Sequence, residues 1–247
     1  MRKGECQQAL INGVRFNSIA TMTLPCINIF EFGGLHTFNR YRDATLDDVK
    51  ASSDPIDILK PIGIDPVVIS TPTDLVRWAI FHRVEVDNFV DLQISKSPLF
   101  GIWRAAMPSR IPEVLHDYQN RHANLDDVDA AILEIKSRLE YGQVLFHGGN
   151  LSQGVLARPL STTFSPSVAI NEALGSGEAD RLGEVRVYVL KIISNNVFAY
   201  AFKQKGTVHG CEKEILVASG RQISITTCID CGEYNGRMYK VFEANLG

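Results

Sequence analysis

The chain has 247 residues, a net charge of −3, and hydrophobic and charged fractions of 45% and 21%. This composition is ordinary for a globular protein with one large or two small cores, and the small net charge excludes a global electrostatic attraction to nucleic acid. No apolar run approaches the roughly 20 residues that span a bilayer, and residues 1–30 lack a conventional secretory signal. We therefore expect no membrane span, and a protein that is cytoplasmic or is delivered into the cytosol of a target cell.

The cysteines argue against a disulfide framework, because their number, five, is odd. Cys228 and Cys231 form a C-x-x-C pair, which would suit zinc or redox chemistry, but no second close pair and no suitably spaced histidine accompanies it. We expect no metal, and we interpret the pair as part of a strand and turn in a reduced protein.

The first half of the chain contains few functional signals. Residues 1–70 alternate short apolar runs with glycine and proline, which favours short strands and long loops. A helix is predicted from Pro72, with apolar residues at helical spacing as far as Val84. Residues 97–112 contain three prolines and are interpreted as an irregular linker or packed loop.

The signals become clearer in the second half. Asn124 is a predicted N-cap, followed by acidic residues and an apolar stripe that predict a helix ending near residues 141–142. A second helix is predicted between Ser165, its N-cap, and Gly175, which ends it. Alternating or continuous apolar runs predict strands at 143–147, 185–193, 197–202, 215–217, 223–227 and 238–242. This order of elements predicts an α+β architecture with antiparallel sheets.

Two glutamates, Glu212 and Glu214, directly precede the predicted strand at 215–217. Residues two apart in a strand project from the same face, so their carboxylates would repel each other and titrate at different pH values. Such a pair suits two different catalytic roles. Taken alone, the pair is more typical of a solvated strand edge.

Two further segments accompany the glutamates: His147-Gly148 at the end of a predicted strand, and Ser161-Thr162-Thr163 ahead of the second helix. In this order the three segments resemble the core of the mono-ADP-ribosyltransferases, enzymes that transfer ADP-ribose from NAD to a target. The resemblance covers about residues 124–247. It implies an ADP-ribosyltransferase-like α+β fold, in which a split β-sheet core with flanking helices surrounds an NAD-binding cleft and a mixed N-terminal region precedes it.

The resemblance implies two domains. Residues 121–247 would be the catalytic domain. Residues 1–120 would form an N-terminal region that positions a target, a partner, or an antitoxin or inhibitor protein. The family includes bacterial and phage toxins and effectors, and we expect a protein of this type.

The resemblance also assigns roles to the acidic motif. Cleavage of the bond between nicotinamide and ribose develops an oxocarbenium-like cation, which Glu214 would stabilise, while Ser161 would orient Glu214 by a hydrogen bond. Glu212 would face the acceptor and remove or hold its proton. A glutamate at this earlier position implies an arginine acceptor, so we expect protein arginine first and a nucleic-acid base in RNA or DNA second.

NAD would enter as a substrate, without a metal. The residues expected to bind it are His147, Gly148, Ser161, Thr162, Thr163 and Arg158. His147 departs from the arginine that accompanies a Ser-Thr-Ser strand, and is similar to the histidine that binds adenosine ribose in another branch of the family. Arg158 is then the candidate for the missing phosphate-binding cation, unless it simply faces solvent.

Two alternatives remain open at this point. The chain could be a non-catalytic α+β binding protein in which the motifs occur by chance. It could also be an inactive descendant of the family that lost the ability to bind the phosphates of NAD together with the family arginine.

Overall fold

A computed structural model describes residues 21–29, 35–40, 63–119, 122–202 and 213–247. The helices of this part, α1 to α7 in chain order, are Pro72–Phe81, Arg83–Lys96, Pro98–Ala106, Glu113–Gln119, Leu125–Ile135, Pro166–Gly175 and Glu178–Leu182. The strands, β1 to β12, are Met22–Leu24, Leu35–Arg40, Gly63–Val68, Ser137–Leu139, Val144–Gly148, Gly154–Val155, Leu160–Thr163, Glu184–Ile192, Ala199–Ala201, Glu214–Val217, Gln222–Tyr234 and Arg237–Leu246. Among the described helices, none has the length and apolar character needed to cross a membrane.

The main sheet has eight strands in the order β6-β11-β12-β8-β5-β7-β10-β9. The neighbours β12 and β8 run parallel, so the prediction of antiparallel sheets is wrong at this position. The cause lies in the chain path. Asn235 and Gly236, both with positive φ, form the tight Asn-Gly turn that reverses β11 into β12, and this reversal places β12 beside β8 in the same direction.

The sheet is split between β5 and β7. β5 pairs with β8 over five residues, from Val144 to Gly148, but pairs with β7 through Phe146 and Thr163. Beyond this pair the two strands diverge, and a cavity opens between them. The split sheet and the α+β class therefore match the predicted architecture.

Helix α6 lies directly on the backbone of β5. A Cβ atom at Gly148 would lie 1.6 Å from the backbone oxygen of Ala169 in α6, far inside contact distance. Gly148 is therefore required for the close approach of helix and strand. This packing requirement is separate from the contact between Gly148 and NAD that the resemblance implies.

The interpretation of residues 97–112 as an irregular loop is wrong, because Pro98–Ala106 form α3. Pro98 occupies the first helical turn, where a backbone N–H has no partner within the helix, so that proline costs no hydrogen bond there. Pro108 and Pro112 lie beyond the end of the helix. Trp103 of α3 is fully buried, and its Nε1–H donates to the backbone oxygen of Pro25 at 2.7 Å.

Helix α5 begins as predicted, with the side chain of Asn124 accepting from the N–H of Asp126. It ends at Ile135, earlier than predicted. Lys136 adopts a left-handed conformation with φ of 57°, and Ser137–Leu139 then form β4, which pairs in parallel with β1. Pairing with a distant strand thus ends the helix before its apolar stripe runs out.

The cysteine pair lies within β11, as the strand interpretation predicted, although this strand extends to Tyr234 and is much longer than expected. Among the described residues, no group of three or more metal-binding side chains is found.

The first half of the chain packs into the core of the second half. Phe164, which follows the Ser-Thr-Thr strand, packs against Trp103 and Phe100 of α3, with ring centroids 5.2 and 6.4 Å apart. Helices α1 and α2 both lie against α6. The two halves of the chain therefore share packing contacts, and the assignment of residues 121–247 as the catalytic domain remains a prediction.

Candidate active site

The cavity at the split of the sheet has a volume of about 490 Å³. Its walls come from β5, β7, β10 and α6, together with residues from α4 and the start of α5. Six residues predicted from the sequence line it: His147, Gly148, Ser161, Thr162, Thr163 and Glu214. The three separate motifs thus converge on one site.

A short hydrogen bond joins two of the motifs. Ser161 Oγ donates to Glu214 Oε1 at 2.6 Å, and Glu214 is 5% exposed at the start of β10. Strand β10 pairs with β7 in a register that places Glu214 opposite Thr163, so the sheet itself brings the glutamate to the Ser-Thr-Thr strand. A hydrogen bond to an ionised carboxylate is stronger than a neutral one and fixes the direction of the Glu214 side chain.

His147 is tied to the same serine through the backbone. Its Nδ1 lies 2.8 Å from the carbonyl oxygen of Ser161, and because a carbonyl can only accept, Nδ1 carries the proton. Burial lowers the pKa of His147, although the bond to Ser161 and the charge of Glu178 oppose this shift. His147 is therefore neutral at pH 7, with Nε2 as a hydrogen-bond acceptor.

The hydroxyls of the two threonines have partners within the protein. Thr162 Oγ1 donates to the backbone oxygen of Ile215 at 2.6 Å, and Thr163 Oγ1 accepts from the N–H of Ser165 at 3.0 Å. The first bond joins β7 to β10, and the second shapes the turn into α6. Both residues therefore help to build the walls of the cavity, and their direct contact with NAD remains a prediction.

Arg158 is exposed and lies outside the lining of the cavity. Its positive charge nevertheless contributes to the lowered pKa of His147. The same charge partly offsets the raised pKa of Tyr118. The contact of Arg158 with a phosphate remains a prediction.

Two residues with titratable side chains that the sequence did not indicate, Tyr118 and Glu172, also line the cavity. Tyr118 belongs to α4, and its pKa is raised, first by burial and then by the negative charge of Glu214. Glu172 lies on α6. The helical spacing of Val168 and Glu172 on the correctly predicted α6 could have revealed Glu172, whereas no signal in the first half of the chain indicated Tyr118.

Glu212 lies outside the described residues, so its role remains a prediction. The prediction that it shares a strand face with Glu214 likewise lies outside the described residues. Strand β10 begins at Glu214, and Lys213, directly before it, has a left-handed φ of 55°.

No protein-family model and no curated protein sequence matches this chain. Solved structures do match it. The ADP-ribosyltransferase toxin Plx2a from Paenibacillus larvae is 13% identical, with a TM-score of 0.42 over 65% of this chain and 96% of that chain. The ADP-ribosyltransferase Vis from Vibrio splendidus, solved in complex with agmatine, is 15% identical, with a TM-score of 0.31 over 72% of this chain and 86% of that chain.

A third match is BECa, an ADP-ribosylating toxin of a binary enterotoxin of C. perfringens, solved with NADH. It is 12% identical, with a TM-score of 0.35 over 74% of this chain and 52% of that chain. These solved structures are ADP-ribosyltransferase toxins, the class of protein that the motifs of this chain resemble.

Proposed function

We propose that this protein is an NAD-dependent mono-ADP-ribosyltransferase that modifies a macromolecule, with protein arginine as the acceptor, and that it acts as a toxin or effector. The observation that carries the proposal is the 2.6 Å hydrogen bond between Ser161 and Glu214 in the wall of the cavity. It supplies an oriented, buried carboxylate beside a space large enough for a substrate.

The chemistry follows from that carboxylate. When the bond between ribose and nicotinamide breaks, its electron pair leaves with nicotinamide, and positive charge develops on the ribose. Glu214 would stabilise this charge, and its burial strengthens the interaction because water screens it less. The acceptor then bonds to the ribose carbon and gives up a proton, for which Glu212 is the proposed base.

The neutral state of His147 defines what it could bind. Its Nε2 can accept a hydrogen bond from a ribose hydroxyl, but the ring offers no positive charge to a phosphate. Arg158 is the proposed partner for the pyrophosphate, with which a guanidinium can form a two-pronged contact. Tyr118, which lines the same cavity as Glu214, is proposed to cover the nicotinamide or the acceptor.

Incubation with radiolabelled NAD and a cell lysate tests the proposal. We expect label on protein, with modified arginines identified by mass spectrometry, and label reduced by about 100-fold or more in the E214Q variant. Label on nucleic acid would replace the acceptor but keep the reaction. Absence of both label transfer and nicotinamide release would overturn the proposal in favour of a non-catalytic binding protein.

A further inference from the structure

Lys213, between the two glutamates of the motif, is buried against helix α2. Its side chain is 2% exposed, and its Nζ lies 2.9 Å from Asp87 Oδ1 and 3.2 Å from Asp91 Oδ1. The two aspartates are four residues apart, so one face of α2 presents both carboxylates. A buried ammonium between carboxylates is a paired charge, and removing its partners is costly.

Asp87 also binds a second residue close to the cavity, Ser165. Ser165 Oγ donates to Asp87 Oδ1 at 2.5 Å, and the N–H of Ser165 donates to Thr163 Oγ1 at the end of β7. One carboxylate therefore fastens both the start of β10 and the end of β7. These are the strands that carry Glu214 and Ser161 into the cavity.

The backbone at Lys213 explains why such an anchor is needed. Its left-handed φ of 55° is unfavourable for a residue with a side chain, and such conformations persist only when the surroundings enforce them. With this turn, the Lys213 side chain points toward α2, while the next residue, Glu214, reaches Ser161.

We propose that Lys213 is a positioning residue. Its ammonium, anchored by Asp87 and Asp91, fixes the turn that aims Glu214 at Ser161 and the cavity. The anchor makes α2, from the region before residue 120, a structural part of the site. Its catalytic consequence rests on the proposed function, whereas the anchor itself does not.

The K213M variant keeps an unbranched stem of similar length and removes the charge. We expect kcat for nicotinamide release to fall about 10- to 100-fold, as for a misplaced catalytic group, while KM for NAD changes less than about threefold. The rate is expressed per NAD-binding site, counted by calorimetric titration, so that loss of folded protein does not mimic the effect.

The D87N/D91N variant tests whether Lys213 acts through the aspartates. It should reproduce the loss, and adding K213M to it should lower kcat little further, because both changes remove one interaction. The matched control is K240M, which breaks a pair of Lys240 and Glu184 separated by 2.5 Å and outside the cavity lining, and which should retain wild-type kcat. Fully additive losses in the combined variant would overturn the proposal.

Hydrogen exchange gives a readout that does not depend on activity. Amides of residues 213–217 and 160–165 should exchange faster in K213M than in the wild type or K240M, since the anchor holds both strand ends. Unchanged exchange at these amides would overturn the anchor, whatever the enzyme does. Faster exchange in a protein whose wild type consumes no NAD would support the anchor and reject the proposed function.

Discussion

Ser161 links the two polar side chains of the candidate site. Its hydroxyl directs Glu214, and its carbonyl oxygen fixes the tautomer of His147. Ser161 thus contributes to the site in two ways. Its hydroxyl could be replaced by that of a threonine, whereas the position of its carbonyl oxygen depends on the geometry of the strand. Each partner of Ser161 has a separable role that substitution can reveal.

Glu214 and Glu212 should differ in which reaction of NAD they affect. E214Q keeps the shape and removes the charge that stabilises the ribose cation, so transfer and NAD hydrolysis should both fall by about 100-fold or more. E212Q should reduce transfer far more than hydrolysis, because Glu212 is proposed to act on the acceptor. Nicotinamide release, measured with and without acceptor, separates the two. The reverse pattern would exchange the two assignments.

His147 should affect the binding of NAD more than its cleavage. In H147A the hydrogen-bond acceptor at Nε2 is lost, so KM for NAD should rise about tenfold or more while kcat changes little, as expected for binding made equally in ground and transition states. Steady-state kinetics over a range of NAD concentrations measure both constants. An unchanged KM would show that His147 does not contact NAD.

His147 should also make stability depend on pH. Burial lowers its pKa below the usual value of 6.5, so the unfolded chain binds a proton more readily than the folded one. The contribution of His147 to the free energy of unfolding is therefore lost as the pH falls below about 6.5. Urea denaturation at pH 7.5 and 5.5 should show a smaller loss in H147Q than in the wild type, and an equal loss would contradict this assignment.

At the scale of elements, the contact between α6 and β5 determines how tightly the cavity is closed on one side. G148A should destabilise the protein by about 3 kcal/mol, at the upper end for overpacking, because the new methyl group would meet the Ala169 oxygen at 1.6 Å. G101A in α3 is the matched control, since nothing lies within 4 Å of its Cβ, and it should be neutral or slightly stabilising. Urea denaturation measures both, and a neutral G148A would mean that α6 can shift freely.

The elements that the sequence predicted correctly depend on neighbouring residues. The caps at Asn124 and Ser165 and the apolar run of β8 are each contained in a short stretch of chain, so their local physics suffices. The elements that it missed depend on distant partners. Helix α5 stops where β4 meets β1, and the parallel pairing of β8 with β12 follows from a hairpin far along the chain.

The same distinction applies to the candidate site. Ser161, His147 and Glu214 could be found because the family motif places them in order along the chain. Tyr118 and the left-handed turn at Lys213 could not, because their positions are set by packing between α4, α2 and the second half of the chain. Local sequence patterns identify the reactive side chains, and tertiary contacts determine their orientation.

At the scale of the whole molecule, residues 121–247 should not fold alone. Their core is completed by α1 to α3, including Trp103 against Phe164, and the loss of these helices would expose a large apolar surface. We expect a fragment of residues 121–247 to lack a cooperative thermal transition and near-ultraviolet circular dichroism. The full chain should show both, and a cooperative transition in the fragment would show that the two halves are independent.

The junction between β5 and β7 gives the sheet a seam. On either side of the seam, continuous ladders of backbone hydrogen bonds make each part of the sheet stiff. Across the seam, the two parts are joined by the pairing of Phe146 with Thr163 and by the hydrogen bond from the imidazole of His147. A molecule reaching from His147 to Glu214 would bridge the seam and add the cross-links that the backbone lacks. Occupancy of the cavity would then hold the two parts of the sheet together. The bound molecule would itself become part of the structure that binds it.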